Sequence, residues 1–166
     1  MAAKRIVEEN NLDIQADKLY ALKYEASKFY LQSDSFPLIS GTHEIMKALR
    51  ERGIRLGLVS GSDRVSVMAS IKAHGLDKWV EVVVTGDDVD HSKPAPDVYL
   101  KAIKTLGVAP EQCLSIEDSE AGITSSAAAG ISCLAMRTEY TEHHDRSKAL
   151  MEFNNFESLA SWIFND

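Results

Sequence analysis

Beyond Pro37 the chain alternates four short, mostly apolar runs with helical segments; the first three runs each end in a small or acidic residue and are followed by a helix that a glycine stops. The apolar runs cover residues 54–59, 80–84, 113–116 and 131–136. Each is too short for a buried helix and too uniformly apolar for a strand with one wet face, so each reads as a strand buried on both sides. Strands of this kind separated by helices pair in parallel, because a helix is the natural crossover between parallel neighbours. The expectation is an α/β fold: a Rossmann-like parallel sheet with helices on both faces. A helix over 43–52, capped by Thr42 and stopped by Gly53, precedes the first strand. Ser62 or Asp63 caps a helix ending at Gly75, the loop TGDDVDHSKPAPD leads into one ending near Gly107, and the segment 119–129 stops at Gly130. Phe156, Leu159, Ala160 and Ile163 mark a last amphipathic helix.

The first 36 residues have a different texture and read as helical throughout. Leu19, Leu22, Ala26, Phe29 and Tyr30 recur at helical spacing and form one apolar stripe, which the polar stretch before Pro37 ends. The expected organisation is therefore a helical segment over 1–36 and an α/β core over 37–166.

Charge and composition narrow the function. Lys and Arg number 18 against 25 Asp and Glu, a formal charge of -7, which is the wrong sign for holding a nucleic-acid backbone. No apolar run approaches the ~20 residues that span a bilayer, and the start MAAKRIVEENN lacks the apolar stretch of a secretory signal, so a cytoplasmic location is expected. Cys113 and Cys133 each lie in an apolar run and read as buried, reduced thiols rather than a disulfide or metal pair.

In a parallel sheet, ligands bind at the carboxyl ends of the strands. Three such ends carry chemistry. Ser60-Gly61-Ser62-Asp63 offers a hydroxyl and backbone N–H groups at a helix start, which suits a phosphate, although the same letters also serve as a plain N-cap. Lys93, followed by Pro94-Ala95-Pro96-Asp97, is a cation on a stiffened loop, where an isolated lysine would otherwise be an ordinary surface residue. Glu117-Asp118 places adjacent carboxylates where a Mg²⁺ ion could sit, or where Asp118 or Ser119 could cap the next helix. A hydroxyl, a cation and an acidic pair at successive strand ends should converge into the clamp that phosphoryl transfer requires. Asp87, Asp88 and Asp90 read as a solvated acidic turn, His143 and His144 as surface residues, and Trp79 and Trp162 as packing residues.

The segments LGLVSGS, SKPAPDVYLKA and SIEDSEAGITSSAAAG resemble, in order, three motifs of the haloacid dehalogenase-like hydrolase superfamily. The nearest likeness is to its small phosphatases and β-phosphoglucomutase-like enzymes with a helical cap, and residues 1–36 are similar to the latter half of such a cap. The resemblance implies a Mg²⁺-dependent phosphatase acting on a small phosphorylated metabolite. Ser60 and Gly61 would bind the phosphoryl group, Lys93 would neutralise it and orient the nucleophile, and Glu117 and Asp118 would hold Mg²⁺. It also implies an aspartyl-phosphate route, in which one carboxylate attacks and another, two residues on, acts as acid and base.

That pair of acids, and the first core strand that carries it in the superfamily, has no counterpart before residue 36. Asp88-Val89-Asp90 has the spacing but falls after the Ser60 motif. The family's first strand lies between those leading to Ser60 and to Glu117. Without it, these two strands would pair directly, shifting the clamp by about 4.8 Å, or leave a gap roughly 9–10 Å wide with open edges that invite association. The leading expectation is a phosphatase of impaired activity. The alternatives are a non-catalytic phosphate-binding or self-associating protein on the same fold, or part of a phosphomutase. A phospho-receiver domain is excluded, since its acids come first in the chain and its lysine last.

Overall fold

The computed structural model describes residues 7, 8, 10–32 and 38–164. The chain divides into two compact units, Met1–Pro37 and Leu38–Asp166.

In the first unit, helix α1 spans Ala16–Gln32. The segment does not run as helix throughout. Asn11 takes a left-handed conformation (φ 49°), and the Leu12 N–H donates to the Val7 carbonyl (3.0 Å), which closes the turn before it. Asparagine tolerates that conformation better than other residues with a Cβ, and the Asn10-Asn11 pair acts as a helix stop. Leu22 is 54% exposed, so it does not seal an apolar stripe within this unit. The side chains of Phe29 and Tyr30, and residues 33–37, lie outside the described residues.

The second unit begins with α2 (Thr42–Glu51). Gly41, at φ 89°, takes the cap position expected of Thr42, whose hydroxyl donates to the Ile39 carbonyl (2.6 Å). There follow β1 (Gly57–Val59), α3 (Arg64–Ala73), β2 (Val82–Val84), α4 (Asp97–Leu106), β3 (Leu114–Glu117), α5 (Glu120–Ala128), β4 (Ser132–Met136), β5 (Met151–Phe153) and α6 (Phe156–Phe164). Asp63 caps α3 by accepting from the Ser66 N–H (2.8 Å), and Ser119 caps α5 by accepting from that of Gly122 (3.2 Å).

All strand pairings are parallel, but the strands form two sheets rather than one: β1-β2, and β3-β4-β5. β1 is bonded only to β2 and β3 only to β4 among the described residues. Of the two arrangements the sequence allowed, direct β1–β3 pairing does not form. The sheets nonetheless share a core. Leu56, just before β1, packs in one cluster with Ile116 of β3 and with Leu134, Met136, Ile45, Leu49 and Leu159.

Strand β4 shows how helices cover both faces. Its Cys133 and Ala135 face Ile123 of α5, while Leu134 and Met136 face α2 and α6. Residues 133–136 are all essentially inaccessible, so this strand reads as an unbroken apolar run. On the other sheet, Val82 and Val84 pack against Val98, Tyr99, Ala102 and Ile103 of α4. Strand β5 was not visible in the sequence because it is an edge strand of three residues, and only Phe153 points inward. Cys113 is half-buried rather than buried, Trp162 is 39% exposed, and no helix among the described residues is long and apolar enough to cross a membrane.

Candidate active site

The carboxyl ends of β1, β2 and β3 carry the predicted residues. In β1, Ser60 N–H bonds to the Val84 carbonyl (2.9 Å), so the even-numbered residues face β2. Alternate residues of a parallel strand address opposite neighbours, so the Val59 carbonyl points to the outer edge. There it accepts from the Lys93 ammonium (3.1 Å). The same ammonium forms an ion pair with Glu117 Oε1, at the end of β3. One cation thus ties the open edge of the first sheet to the second. Both side chains are almost wholly buried, with exposures of 11% and 8%.

The loops around this cation are braced. Ser60 Oγ accepts from the Ser62 N–H (3.1 Å), and the Ser62 carbonyl accepts from the Gly86 N–H (2.9 Å), joining the loops after β1 and β2. A Cβ at Gly86 would stand 2.6 Å from the Gly61 carbonyl oxygen, so only glycine permits that approach. Ser92 donates to the Gly61 carbonyl (3.3 Å), and the fully buried Ser125 of α5 donates to the Ala95 carbonyl (2.6 Å). Lys93 is therefore presented by a loop fastened on both sides.

Glu117 has a second donor. The Tyr99 hydroxyl, from the first turns of α4, donates to Oε1, the oxygen that Lys93 also uses. Burial, reinforced by the Glu117 charge, pushes the Tyr99 hydroxyl well above its ordinary pKa, so it stays a proton donor at any working pH. The other carboxylate oxygen faces Gly122, where a Cβ could not fit. Asp118, next in the chain, is half-buried.

The structure thus brings Lys93 and Glu117 into direct contact beside the Ser60-Gly61 turn, with Asp118 adjacent to Glu117 in the chain. Tyr99, Gly86, Ser92, Gly122 and Ser125 were not singled out from the sequence. Gly122 left a signal, since a glycine inside a helix is costly unless something approaches closely. Tyr99 falls within the SKPAPDVYLKA segment, but nothing there marks it as polar machinery, because an aromatic residue on an amphipathic helix looks like core.

The acidic turn needs correction at two residues: the exposed Asp87 accepts from the Arg64 N–H (2.8 Å), and Asp88 is engaged further. Asp88 is not simply solvated: its carboxylate accepts from the Thr85 N–H and hydroxyl (2.8 Å each) and from Arg64 (2.9 Å). The Arg64 bond and then those of Thr85 lower its pKa from 3.8 to about 2. The carboxylate is thus favoured in the folded state. The stability it confers is present above the ordinary value of 3.8 and lost as pH falls towards about 2. Asp88→Asn should flatten that acid limb of a stability–pH curve, read by thermal unfolding between those values. His144 is also not a plain surface residue, since its Nδ1 accepts from the Glu120 N–H (3.3 Å).

Among the described residues no three His, Cys, Asp or Glu side chains gather as a preformed metal cage. The Glu117-Asp118 pair still fits a hard cation that takes one or two carboxylates and fills its other positions with water and phosphate oxygens. Asp118 is the better placed, because Glu117 already gives one oxygen to Lys93 and Tyr99.

The CbbY protein of Rhodobacter capsulatus is 35% identical over 140 residues, covering 82% of this chain and 62% of that protein. A putative phosphatase of Bacillus subtilis, YhcW, is 35% identical over 133 residues, covering 75% and 60%. The chain thus spans about three fifths of these relatives. The crystal structure of CbbY from Rhodobacter sphaeroides in complex with phosphate superposes with a TM-score of 0.78 at 26% identity, covering 89% of this chain and 67% of that one. The family model for haloacid dehalogenase-like hydrolases matches residues 2–136, a span that contains Ser60, Lys93, Glu117 and Asp118, and the chain belongs to that family.

Proposed function

We propose that this chain forms the phosphate- and metal-binding part of a Mg²⁺-dependent phosphatase acting on a small phosphorylated metabolite in the cytosol. The observation that carries the proposal is the buried Lys93, held between the Val59 carbonyl and Glu117 at the ends of two strands. An ammonium has three N–H groups; two are directed at these acceptors, and the third is available to a phosphoryl oxygen. Ser60 would add its O–H, and Gly61 its backbone N–H, as neutral donors at the end of β1, and the bracing around them means that little reorganisation is needed when an anion arrives. Asp118, with Glu117, would hold Mg²⁺, which when bound supplies further positive charge to the phosphoryl oxygens. A phosphatase among the relatives and a phosphate-bound structural neighbour support this reading.

Hydrolysis by this chain alone is expected to be very slow. Asp88, in the one Asp-x-Asp of the sequence, is already engaged by Thr85 and Arg64. Assay of the purified chain with an aryl phosphate and Mg²⁺ tests this. Negligible turnover is expected, together with binding of inorganic phosphate that Lys93→Ala abolishes and that weakens without Mg²⁺. Robust turnover lost in Lys93→Ala would overturn the slow-turnover reading, and failure to bind phosphate would overturn the proposal itself.

A second reading is favoured by the split sheet, whose β1 and β3 edges have no strand partner among the described residues. Such edges template pairing with another copy of the chain. Size-exclusion chromatography with light scattering decides it: a concentration-dependent dimer is expected, and a stable monomer at all concentrations counts against it.

A further inference from the structure

Tyr99 lies in the SKPAPDVYLKA segment but was given no role there, yet it touches both members of the buried ion pair. Its hydroxyl donates to Glu117 Oε1, and its ring lies against Lys93, with the ammonium 5.3 Å from the ring centroid. The residue is 6% exposed and sits on α4, whose Val98, Ala102 and Ile103 are buried with it in the core. Its position is therefore fixed by packing rather than by the polar contacts.

Two consequences follow for the pair. A carboxylate oxygen receiving both an ammonium and a hydroxyl is constrained from two directions, so Glu117 cannot rotate about its terminal bond without losing both. The aromatic face provides a third contact for the ammonium beside Val59 and Glu117, and a cation within about 6 Å of a ring centroid is attracted to it. With the carbonyl, the carboxylate and the ring disposed around it, the ammonium has one direction left for an incoming anion.

We propose that Tyr99 is a positioning residue of the phosphate site, holding Glu117 and the Lys93 ammonium in one geometry so that the remaining Lys93 N–H points at the phosphoryl group. This rests on the reading of Lys93 as a phosphate ligand, and two readouts separate the two ideas. The first is the side-chain ¹⁵N resonance of the Lys93 ammonium, assigned by its absence in Lys93→Met, which requires no ligand. The second is the affinity for inorganic phosphate.

In Tyr99→Phe the ring remains and the hydroxyl goes. The ammonium signal should move, and phosphate affinity should fall about tenfold, as expected for one lost hydrogen bond to a charged group, among protein that is still folded. A residue that only fills space would lower the unfolding midpoint but leave both readouts of the folded protein where they were. An unmoved ammonium signal overturns the proposal, and so does phosphate affinity within twofold of the parent. Should the parent chain bind no phosphate, the reading of the site fails and the ammonium signal alone decides the role of Tyr99. If Tyr99→Phe does not fold, the unmutated chain provides the test. A nuclear Overhauser contact between the Tyr99 ring and the Lys93 side-chain end, persisting when phosphate is added, supports the proposal, and its absence overturns it.

Discussion

Lys93→Met should lower the unfolding free energy of the chain by about 3–5 kcal/mol, the usual cost of removing one partner from a buried ion pair. Methionine preserves the length and apolar stem of lysine, so little packing is lost. What remains is the Glu117 carboxylate, 8% exposed, with only the Tyr99 hydroxyl donating to Oε1, and the Val59 carbonyl at the sheet edge deprived of its donor. The loss should appear as a lower urea midpoint with an unchanged slope, since the surface exposed on unfolding is the same. Glu117→Gln tests the account from the other side. If the pair acts as a unit, the double variant should lose clearly less than the sum of the two singles, with a coupling of roughly 1–3 kcal/mol. Strict additivity would show that the two charges are independent and that the sheets are not held through them.

Gly122→Ala is the second large effect, and it runs against helix propensity. Alanine in place of a glycine inside a helix ordinarily stabilises by about 1 kcal/mol. Here the added methyl group would intrude on the Glu117 carboxylate, with Oε1 at 2.8 Å and Oε2 nearer still. A solvent-exposed carboxylate would swing aside. This one is buried and held by Lys93 and Tyr99, so either it gives up those bonds or α5 moves off β3. Net destabilisation of about 1–3 kcal/mol is expected, together with loss of phosphate binding. Thermal unfolding and a phosphate titration check it. A variant more stable than the parent would mean that the carboxylate can be displaced freely.

The layers of the α/β core were legible from the chain because buried parallel strands leave a signal that is hard to mistake. Runs such as 131–136 have no polar alternation, and glycines at 75, 107 and 130 adopt the left-handed turns that end helices. The ends of the strands were legible for a different reason: polar residues interrupt an apolar run where the chain emerges from the core; Ser60 and Glu117 mark two of those points, while Lys93 lies further along the loop after β2. The division into two sheets was open, because strand partnership depends on what lies beside an edge and not on the strand's own letters. β5 was missed because two of its three residues face water. Tyr99 was missed because its ring belongs to the core and its hydroxyl to the site, and a periodicity argument registers only the ring.

The cation that bridges the sheets also bears on how such a chain would change over generations. Groups that serve chemistry commonly weaken the structure that carries them, so a lineage released from selection for activity tends to discard them. Lys93 is fastened to a β1 carbonyl and a β3 carboxylate, and its removal is expected to cost folding whether or not any phosphate is ever turned over. Descendants that had abandoned the reaction would still be under pressure to keep this lysine, and its persistence in a sequence would attest to an intact scaffold before it attested to a working enzyme.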